Sequence, residues 1–200
     1  MGTDIYGFIE CRRGYSADGG PAPVWQPAIE LGHLYDTRDY DAFGSLFGVR
    51  NHHGAFEPLA PGRGLPEDAS ETVAREHLGH GTTWISWAEL AAADWDEATA
   101  EPDTYLHRYR RRSPGDAWVF EERAFPVDRL AELSGLTPPG GGHGWPAGTE
   151  WEDGDVLLRI EPLTRRQTVH TATWAPVLTV MRVLAELHGG TCVRLSVWFD

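Results

Sequence analysis

The sequence predicts an α+β fold with a mainly antiparallel sheet, in which the amino- and carboxyl-terminal segments both form strands of the core sheet. Polar and apolar residues alternate near both ends of the chain, over residues 3–13 and 193–200, as in half-buried strands. The middle of the chain carries hairpin signals, and helices and strands follow one another without regular βαβ repetition. We expect about four or five helices and a single domain over residues 1–200, with a flexible Gly/Pro-rich loop at 135–148.

The first predicted strand has different chemistry on its two sides. Since side chains alternate with a period of two, every second residue lies on the same face. One face carries Asp4, Tyr6, Phe8 and Glu10, and the other face carries Ile5, Ile9 and Cys11. A second strand is predicted over residues 24–31. Because Pro27 has no amide hydrogen, this strand is expected at an edge or a bulge.

Capping signals place a helix after the second strand. Asp36 or Thr37 can cap this helix, whose apolar residues recur at helical spacing, and Gly48 ends it. Residues 49–66 then form a long segment without clear periodicity. Loops of this length in a compact domain are often functional, so this segment is the first place to look for a site.

Two capping boxes follow the long loop. Asp68 and Glu71 have the spacing that begins a short polar helix, here over about residues 68–78. Ser86 and Glu89 have the same spacing before an alanine-rich run and follow a brief predicted strand. The second signal is the stronger one, because the residues behind it favour helix.

The second half of the chain is predicted to contain two hairpins. Segments 105–112 and 117–125 flank a Ser-Pro-Gly-Asp turn, and Asp153-Gly154 is the strongest short hairpin signal in the sequence. Glycines mark the ends of the helices that follow. The remaining predicted elements are a helix over residues 127–134, an amphipathic helix over 177–187 and a half-buried strand over 193–199.

Charge and composition exclude several functions. The chain has 30 acidic and 17 basic side chains and a net charge of −13, which argues against binding nucleic acid or an anionic membrane surface. Every Lys or Arg position is arginine, so chemistry that depends on lysine is excluded. No long apolar segment or signal peptide is visible, and two cysteines do not make a secreted disulfide framework. We therefore expect a cytoplasmic protein without a membrane span.

Six residues are candidates for a ligand site. The loop over 49–66 supplies guanidinium groups, whose planar fork suits a carboxylate or a phosphate. We expect this loop to fold back toward the first strand, so that its arginines and the strand carboxylates border one hollow with tryptophan walls. Ion pairs with surface acids are the alternative interpretation of these arginines. The candidates are Asp4, Tyr6, Glu10, Arg50, Asn51 and Arg63.

Other polar motifs have a structural interpretation that we favour. His52, His53, His77 and His80 could supply metal ligands, but no cysteine pair or HExxH motif accompanies them, and we predict no metal or cofactor. The arginine-rich segment 108–112 predicts a solvated, charged edge strand rather than a nucleic-acid site. Five tryptophans could line an aromatic pocket: Trp87, Trp95, Trp145, Trp151 and Trp198. We favour core packing for most of them.

Several short segments of the chain together resemble one protein family. They are Gly2-Thr3-Asp4-Ile5-Tyr6-Gly7, Gly48-Val49-Arg50-Asn51, Arg63-Gly64-Leu65-Pro66, Ser86-Trp87 and Trp198-Phe199-Asp200. In combination they look like a family of uncharacterised proteins from actinobacteria and tailed phages, whose members often begin Gly-Thr-Asp-Ile-His-Gly. Tyr6 stands where that histidine is found, and the resemblance implies no activity. It does imply which positions deserve inspection first, namely Asp4, Glu10, Arg50, Asn51 and Arg63.

The sequence leaves three functions open. We favour the binding of a small anionic or nucleotide-like molecule by loop arginines opposite strand carboxylates. The first alternative is a hydrolase or transferase acting at the same pocket, with Asp4 or a histidine as general base. The second is an acidic interaction or inhibitor module that meets a basic protein partner. A deep cleft containing Arg50 and Arg63 would favour the first two, whereas a flat acidic face would favour the third.

Overall fold

The computed structural model describes residues 2–13, 23–51, 56–138 and 145–200. These residues form ten strands in antiparallel sheets and six α-helices, which confirms the predicted α+β class. The strands are β1 (Ile5–Cys11), β2 (Gln26–Glu30), β3 (His80–Ser86), β4 (Ala98–Pro102), β5 (Tyr105–Arg110), β6 (Val119–Pro126), β7 (Glu150–Asp153), β8 (Val156–Arg159), β9 (Pro162–Thr164) and β10 (Val193–Phe199). The helices are α1 (Tyr40–Phe47), α2 (Glu71–Glu76), α3 (Trp87–Ala92), α4 (Leu130–Ser134), α5 (Arg165–Val169) and α6 (Ala175–His188).

The chain divides into two compact units, and each has its own sheet. Unit 1 comprises Met1–Glu97 and Arg165–Asp200, and unit 2 comprises Ala98–Thr164. The expectation of a single domain stays a prediction. Residues 139–144, within the loop predicted at 135–148, lie outside the described residues.

Unit 1 is built on a four-stranded sheet with the order β2-β1-β10-β3. The two ends of the chain meet in its centre, because β1 pairs with β10 along its whole length, from Ile5 opposite Phe199 to Cys11 opposite Val193. This pairing confirms that the terminal strands belong to the core sheet. β2 lies at an edge, as Pro27 requires, and its pairing with β1 shifts register between Ile9 and Glu10.

The apolar face of this sheet packs against helices. Ile9, Ile85 and Leu195, from three neighbouring strands, are fully buried, as the alternation within the first strand predicts. They belong to one cluster with apolar side chains of α1 and α6, among them Phe43, Leu46, Val177 and Met181. Burial of this cluster removes a large apolar area from water and is the main stabilising contribution to unit 1.

The opposite face of the same sheet is covered as well. Phe8 and Trp198 form a second cluster with Val73 of α2, and Leu65 and Ala69 pack against it. All seven residues of β10 are buried in consequence. The prediction that the final strand is half-buried is therefore wrong, because the alternation of residues within β10 does not reveal that a distant segment covers its polar face.

The structure corrects how α1 begins. Its cap is Asp39, whose side chain accepts a hydrogen bond from the amide of Ala42, so the prediction of Asp36 or Thr37 is wrong. The predicted stop is confirmed, because Gly48 has a left-handed φ of 74°. The cap thus lies two or three residues after the predicted ones, and the helix ends at the predicted glycine.

The two predicted capping boxes have different outcomes. Ser70, rather than Asp68, caps α2 and accepts a hydrogen bond from the amide of Val73. The side chain of Asp68 is therefore available for contacts elsewhere in unit 1. The stronger signal is confirmed, because Ser86 and Glu89 form a reciprocal capping box at the start of α3.

Unit 2 contains a four-stranded sheet with the order β6-β5-β8-β7 and a two-stranded sheet of β4 and β9. Both predicted hairpins are present, because β5 pairs with β6 and β7 pairs with β8. The second turn lies one residue later than predicted, at Gly154 and Asp155, since Asp153 pairs with Val156. Leu106, Leu158 and residues of α4 form the apolar core of this unit.

The arginine-rich strand of unit 2 is not an edge strand. β5 lies between β6 and β8, so the prediction of a charged edge is wrong. Its arginines are neutralised instead by acids on neighbouring strands and turns. Arg108 pairs with Glu121 at 3.1 Å, and Arg110 pairs with Glu121 at 2.8 Å and with Asp155 at 2.6 Å. Opposite charges across strands let arginines occupy an internal strand.

The tryptophans named above pack in cores, as favoured. Trp87 and Trp95 border the main cluster of unit 1, Trp198 lies in its second cluster, and Trp145 and Trp151 border the core of unit 2. Three short elements, β4, β9 and α5, have no counterpart in the sequence prediction. No helix among the described residues combines the length and the apolar character that crossing a membrane requires.

The closeness of β1 to β10 can be tested at Gly7. A Cβ atom at this position would lie 2.1 Å from the backbone oxygen of Ser196. We expect Gly7→Ala to lower the free energy of unfolding by about 2–3 kcal/mol, because backbone atoms of a central strand must move. Urea unfolding followed by circular dichroism measures the loss. The control is Gly32→Ala, whose Cβ would meet nothing closer than 3.9 Å and which should leave stability unchanged.

Candidate functional site

Asp4 and Tyr6 lie together beside the last residue of the chain. Arg38 donates two hydrogen bonds to the Asp4 carboxylate, from Nε at 2.5 Å and from Nη2 at 2.8 Å. These bonds lower the pKa of Asp4. The Tyr6 hydroxyl donates to Asp200 at 3.4 Å, and the negative charge of Asp200 raises the pKa of Tyr6. Both candidate side chains are thus engaged at one end of β1.

Arg50 and Asn51 lie near the start of β1 and near α1. Arg50 has a φ of 57°, and its Nε donates to the Thr3 hydroxyl at 2.8 Å. The loop arginine therefore does fold back toward the first strand, and Thr3 precedes Asp4 directly in sequence. Asn51 donates from Nδ2 to the backbone oxygen of Phe56 at 3.2 Å. His52 and His53, which follow these residues, lie outside the described residues.

Glu10 lies at the opposite end of β1 and is completely buried. Its Oε2 accepts hydrogen bonds from Arg194 Nε and from the Ser196 hydroxyl, both at 2.8 Å. Its Oε1 accepts a bond from the amide of Ser70 at 2.9 Å. A buried carboxylate is tolerated only when it is paired and hydrogen-bonded in this way. Glu10 therefore ties β10 and the start of α2 to β1.

Arg194 connects this buried carboxylate to a cleft at the surface. Its Nη1 donates to Asp68 Oδ1 at 2.6 Å and its Nη2 to the backbone oxygen of Asp68 at 3.1 Å. The guanidinium carbon lies 3.9 Å from the ring centroid of Trp25, and the indole Nε1 of Trp25 donates to Asp68 Oδ2 at 2.8 Å. Burial raises the pKa of Asp68, but these hydrogen bonds outweigh burial and leave its pKa lowered.

Arg63, the loop arginine predicted for the site, lies at the same cleft. Its Nη2 lies 2.8 Å from Glu89 Oε1, and its guanidinium carbon lies 5.1 Å from the ring centroid of Trp84. Two backbone oxygens also accept from it, those of Leu59 at 3.0 Å and Trp84 at 3.3 Å. Burial raises the pKa of Glu89, but the bonds from Arg63 and Ser86 outweigh it and leave this pKa below its ordinary value.

We call this concavity the unit 1 cleft. It has a volume of about 540 Å³, within the range of small-molecule sites. Two indoles line it, together with three cationic and three anionic side chains. Its residues are Arg12, Trp25, Arg63, Leu65, Pro66, Glu67, Asp68, Trp84, Ser86, Glu89, Thr191 and Arg194.

The structure thus separates the six candidates into two places. Glu10 and Arg63 belong to the unit 1 cleft or its floor. Asp4, Tyr6 and Arg50 lie at the other end of β1, and Asn51, next to Arg50 in sequence, lies beside α1. Sequence reasoning missed most of the cleft. The indoles are Trp25 and Trp84, and the remaining charged residues are Arg12, Glu67, Asp68, Glu89 and Arg194. The sequence offered one signal for this site, namely the opposite charges of Glu10 and Arg194 on the two terminal strands.

Unit 2 contains a separate buried polar cluster around His107. The imidazole is fully buried, with Nε2 2.9 Å from Asp103 Oδ2 and Nδ1 2.9 Å from Glu161 Oε1. Arg123 also donates a hydrogen bond to Asp103, from Nη2 to Oδ1 at 2.8 Å. The Tyr109 hydroxyl donates to Glu161; burial, together with this contact, raises the pKa of Tyr109 to about 12. The cluster joins β5 to the segments before and after the sheet.

The described residues offer no group of three or more His, Cys, Asp or Glu side chains that could hold a metal ion. His77 is half-buried at the end of α2, and its Nδ1 lies 2.9 Å from the backbone oxygen of Ala74. His80 lies in β3, opposite Phe199 of β10.

Comparison with known proteins gave no match. No protein-family model, curated protein or solved structure matches the chain.

The buried ion pair can be tested by removing one partner. We expect Glu10→Gln to lower the free energy of unfolding by about 3–5 kcal/mol, because Arg194 then keeps its charge in the interior without its buried counter-ion. Urea unfolding measures this loss, with Glu76→Gln on the exposed surface of α2 as the control. The double variant Glu10→Leu/Arg194→Leu should lose less than the sum of the two single variants. A Glu10→Gln protein as stable as the parent would contradict the role assigned to this pair.

Asp103 gives unit 2 an expected dependence on acid. Burial raises the pKa of Asp103, but hydrogen bonds from His107 and Arg123 outweigh burial and hold it below its ordinary value of 3.8. Asp103 therefore contributes stability above about pH 4, and this contribution is lost as the pH falls through the lowered pKa of the folded state. We expect the protection of the β5 amides against hydrogen exchange, relative to their intrinsic rate at each pH, to fall over this range. Asp103→Asn should exchange faster at neutral pH and depend less on acid.

Proposed function

We propose that the protein binds a small molecule through a carboxylate or phosphate group in the unit 1 cleft. The observation that carries the proposal is the position of the Arg12 guanidinium relative to Trp25 and Asp68. Its guanidinium carbon lies 4.7 Å from the ring centroid of Trp25, and its closest contact with a carboxylate of the described residues is 3.8 Å, to Asp68. This separation exceeds a hydrogen bond, so donors of Arg12 remain available to a ligand.

The surroundings of Arg12 support a preformed site. Asp68 and Trp25 are held in place by Arg194, which is itself fixed by the buried Glu10. The cleft therefore has a floor that needs no rearrangement before a ligand enters, and preorganisation lowers the free-energy cost of binding. Arg63 lies at the same cleft and can turn part of its donor fork toward a ligand anion, since a guanidinium carries five N–H donors.

A ligand anion offers Arg12 a stronger contact than the one that it makes with Asp68. A ligand anion would replace the long contact to Asp68 with a hydrogen-bonded pair, which is worth more than a contact of 3.8 Å. A hydrolase or transferase acting at the same pocket, and an acidic module for a basic protein partner, stay predictions.

The proposal is tested by titrating the protein with four probes: inorganic phosphate, benzoate, adenosine monophosphate and L-phenylalanine. We expect at least one to bind in isothermal titration calorimetry, and Arg12→Gln to weaken that binding at least about tenfold, because a charge-assisted hydrogen bond is lost.

The matched control for this titration is Arg13→Gln. It removes the same charge one residue further along, at an exposed side chain that does not line the cleft. Absence of binding by all four probes, or equal losses in the Arg12 and Arg13 variants, would contradict the proposal.

A further inference from the structure

The unit 1 cleft is electrically balanced. Three arginines line it, Arg12, Arg63 and Arg194, and three carboxylates face them, Glu67, Asp68 and Glu89. The chain as a whole carries a net charge of −13, which opposes the approach of any anion. A ligand with excess negative charge therefore gains little from the electrostatic field of this site, whereas a ligand carrying both signs of charge is not repelled.

Four of the six charged side chains in the cleft already form two close pairs. Arg194 and Asp68 are joined at 2.6 Å, and Arg63 and Glu89 at 2.8 Å. Asp68 also accepts the indole hydrogen of Trp25, and Glu89 also accepts from the amide and the hydroxyl of Ser86. A ligand that displaced any of these groups would have to replace several hydrogen bonds at once.

One cationic and one anionic side chain of the cleft, Arg12 and Glu67, do not belong to these two pairs. Among the described residues, the one carboxylate near Arg12 is that of Asp68, at 3.8 Å, and the Arg12 side chain, which also lies over the ring of Trp25, is 36% exposed. Glu67 lines the same cleft and is exposed, and within the described part of the chain no side chain forms an ion pair or hydrogen bond with its carboxylate. The cleft thus presents one uncommitted positive group and one uncommitted negative group to solvent.

The segment that carries Glu67 is held in place. The amide of Ala69 donates to the backbone oxygen of Pro66 at 3.0 Å, which closes a turn with Glu67 and Asp68 at its centre. Arg194 Nη2 donates a hydrogen bond to the backbone oxygen of Asp68 at 3.1 Å. The position of Glu67 relative to the cleft is therefore set by the same buried ion pair that sets Asp68.

From these charges we infer that the ligand of the unit 1 cleft is a zwitterion of the α-amino acid class, with its carboxylate on Arg12 and its ammonium group on Glu67. This inference rests on the proposed function and adds the second charged group. The apolar part of the ligand lies against Leu65, Pro66 and Trp84, which favours an aromatic or large apolar side chain.

The inference is tested with three related probes at about pH 6, where an α-amino group is protonated and a carboxylate is ionised. L-phenylalanine carries both charges, N-acetyl-L-phenylalanine carries only the carboxylate, and L-phenylalanine amide carries only the ammonium group. We expect L-phenylalanine to bind at least about tenfold more tightly than either derivative in isothermal titration calorimetry.

Variants assign each charge of the ligand to its partner. Arg12→Gln should weaken L-phenylalanine but leave the affinity for the amide unchanged, because the amide has no carboxylate to lose. Glu67→Gln should weaken L-phenylalanine but leave the affinity for the N-acetyl derivative unchanged. Arg13→Gln and Glu71→Gln remove the same charges outside the cleft and serve as matched controls.

The failure of this inference differs from the failure of the proposed function. If N-acetyl-L-phenylalanine binds as tightly as L-phenylalanine, or if only phosphate, benzoate or adenosine monophosphate binds and does so through Arg12, the zwitterion is wrong and anion binding stands. If L-phenylalanine binds but Glu67→Gln has no effect, the role of Glu67 is wrong. If no probe binds, both proposals are overturned.

Discussion

The buried ion pair of Glu10 and Arg194 is the interaction on which the rest of unit 1 depends. It joins the first and the last strand of the chain at a point where Glu10 is 0% and Arg194 2% exposed. Desolvation of two charges costs several kcal/mol for each, and the cost is offset only when every remaining hydrogen-bonding position is filled. Ser196, Ser70 and Asp68 fill them, and this requirement dictates where the segment before α2 must lie.

The same requirement produces the cleft. Because Arg194 needs a second acceptor, Asp68 is drawn over the sheet, and Asp68 in turn holds the indole of Trp25. Arg194 then lies between two aromatic surfaces, 3.9 Å from the centroid of Trp25 and 5.8 Å from that of Trp84. Structural stability and the shape of the surface concavity thus have one physical origin. A preformed polar floor with indoles around it is a property of binding sites.

Arginine performs a second organising task elsewhere in unit 1. Arg165 is 1% exposed, yet it donates to the backbone oxygens of Ser45 and Glu57 and to the carboxylate of Glu97. It therefore connects α5 with α1 and with the loop that precedes α2. A planar guanidinium can satisfy several directions at once, which a lysine ammonium does less well. In a chain whose basic side chains other than histidine are all arginine, the acidic excess is organised around such multidentate centres.

The sequence by itself determined the α+β class, the two hairpins, the terminal strands and several helix ends, because these depend on alternation, capping and glycine, which act over a few residues. It also placed Arg63 and Glu10 among the residues of interest. Only the tertiary structure decided that Glu10 is a buried support, that Asp68 serves Arg194 instead of capping α2, and that Trp25 and Trp84 form the walls. The reason is distance along the chain: the partners of these groups lie up to 186 residues away, and no local pattern encodes which of several arginines a carboxylate will meet.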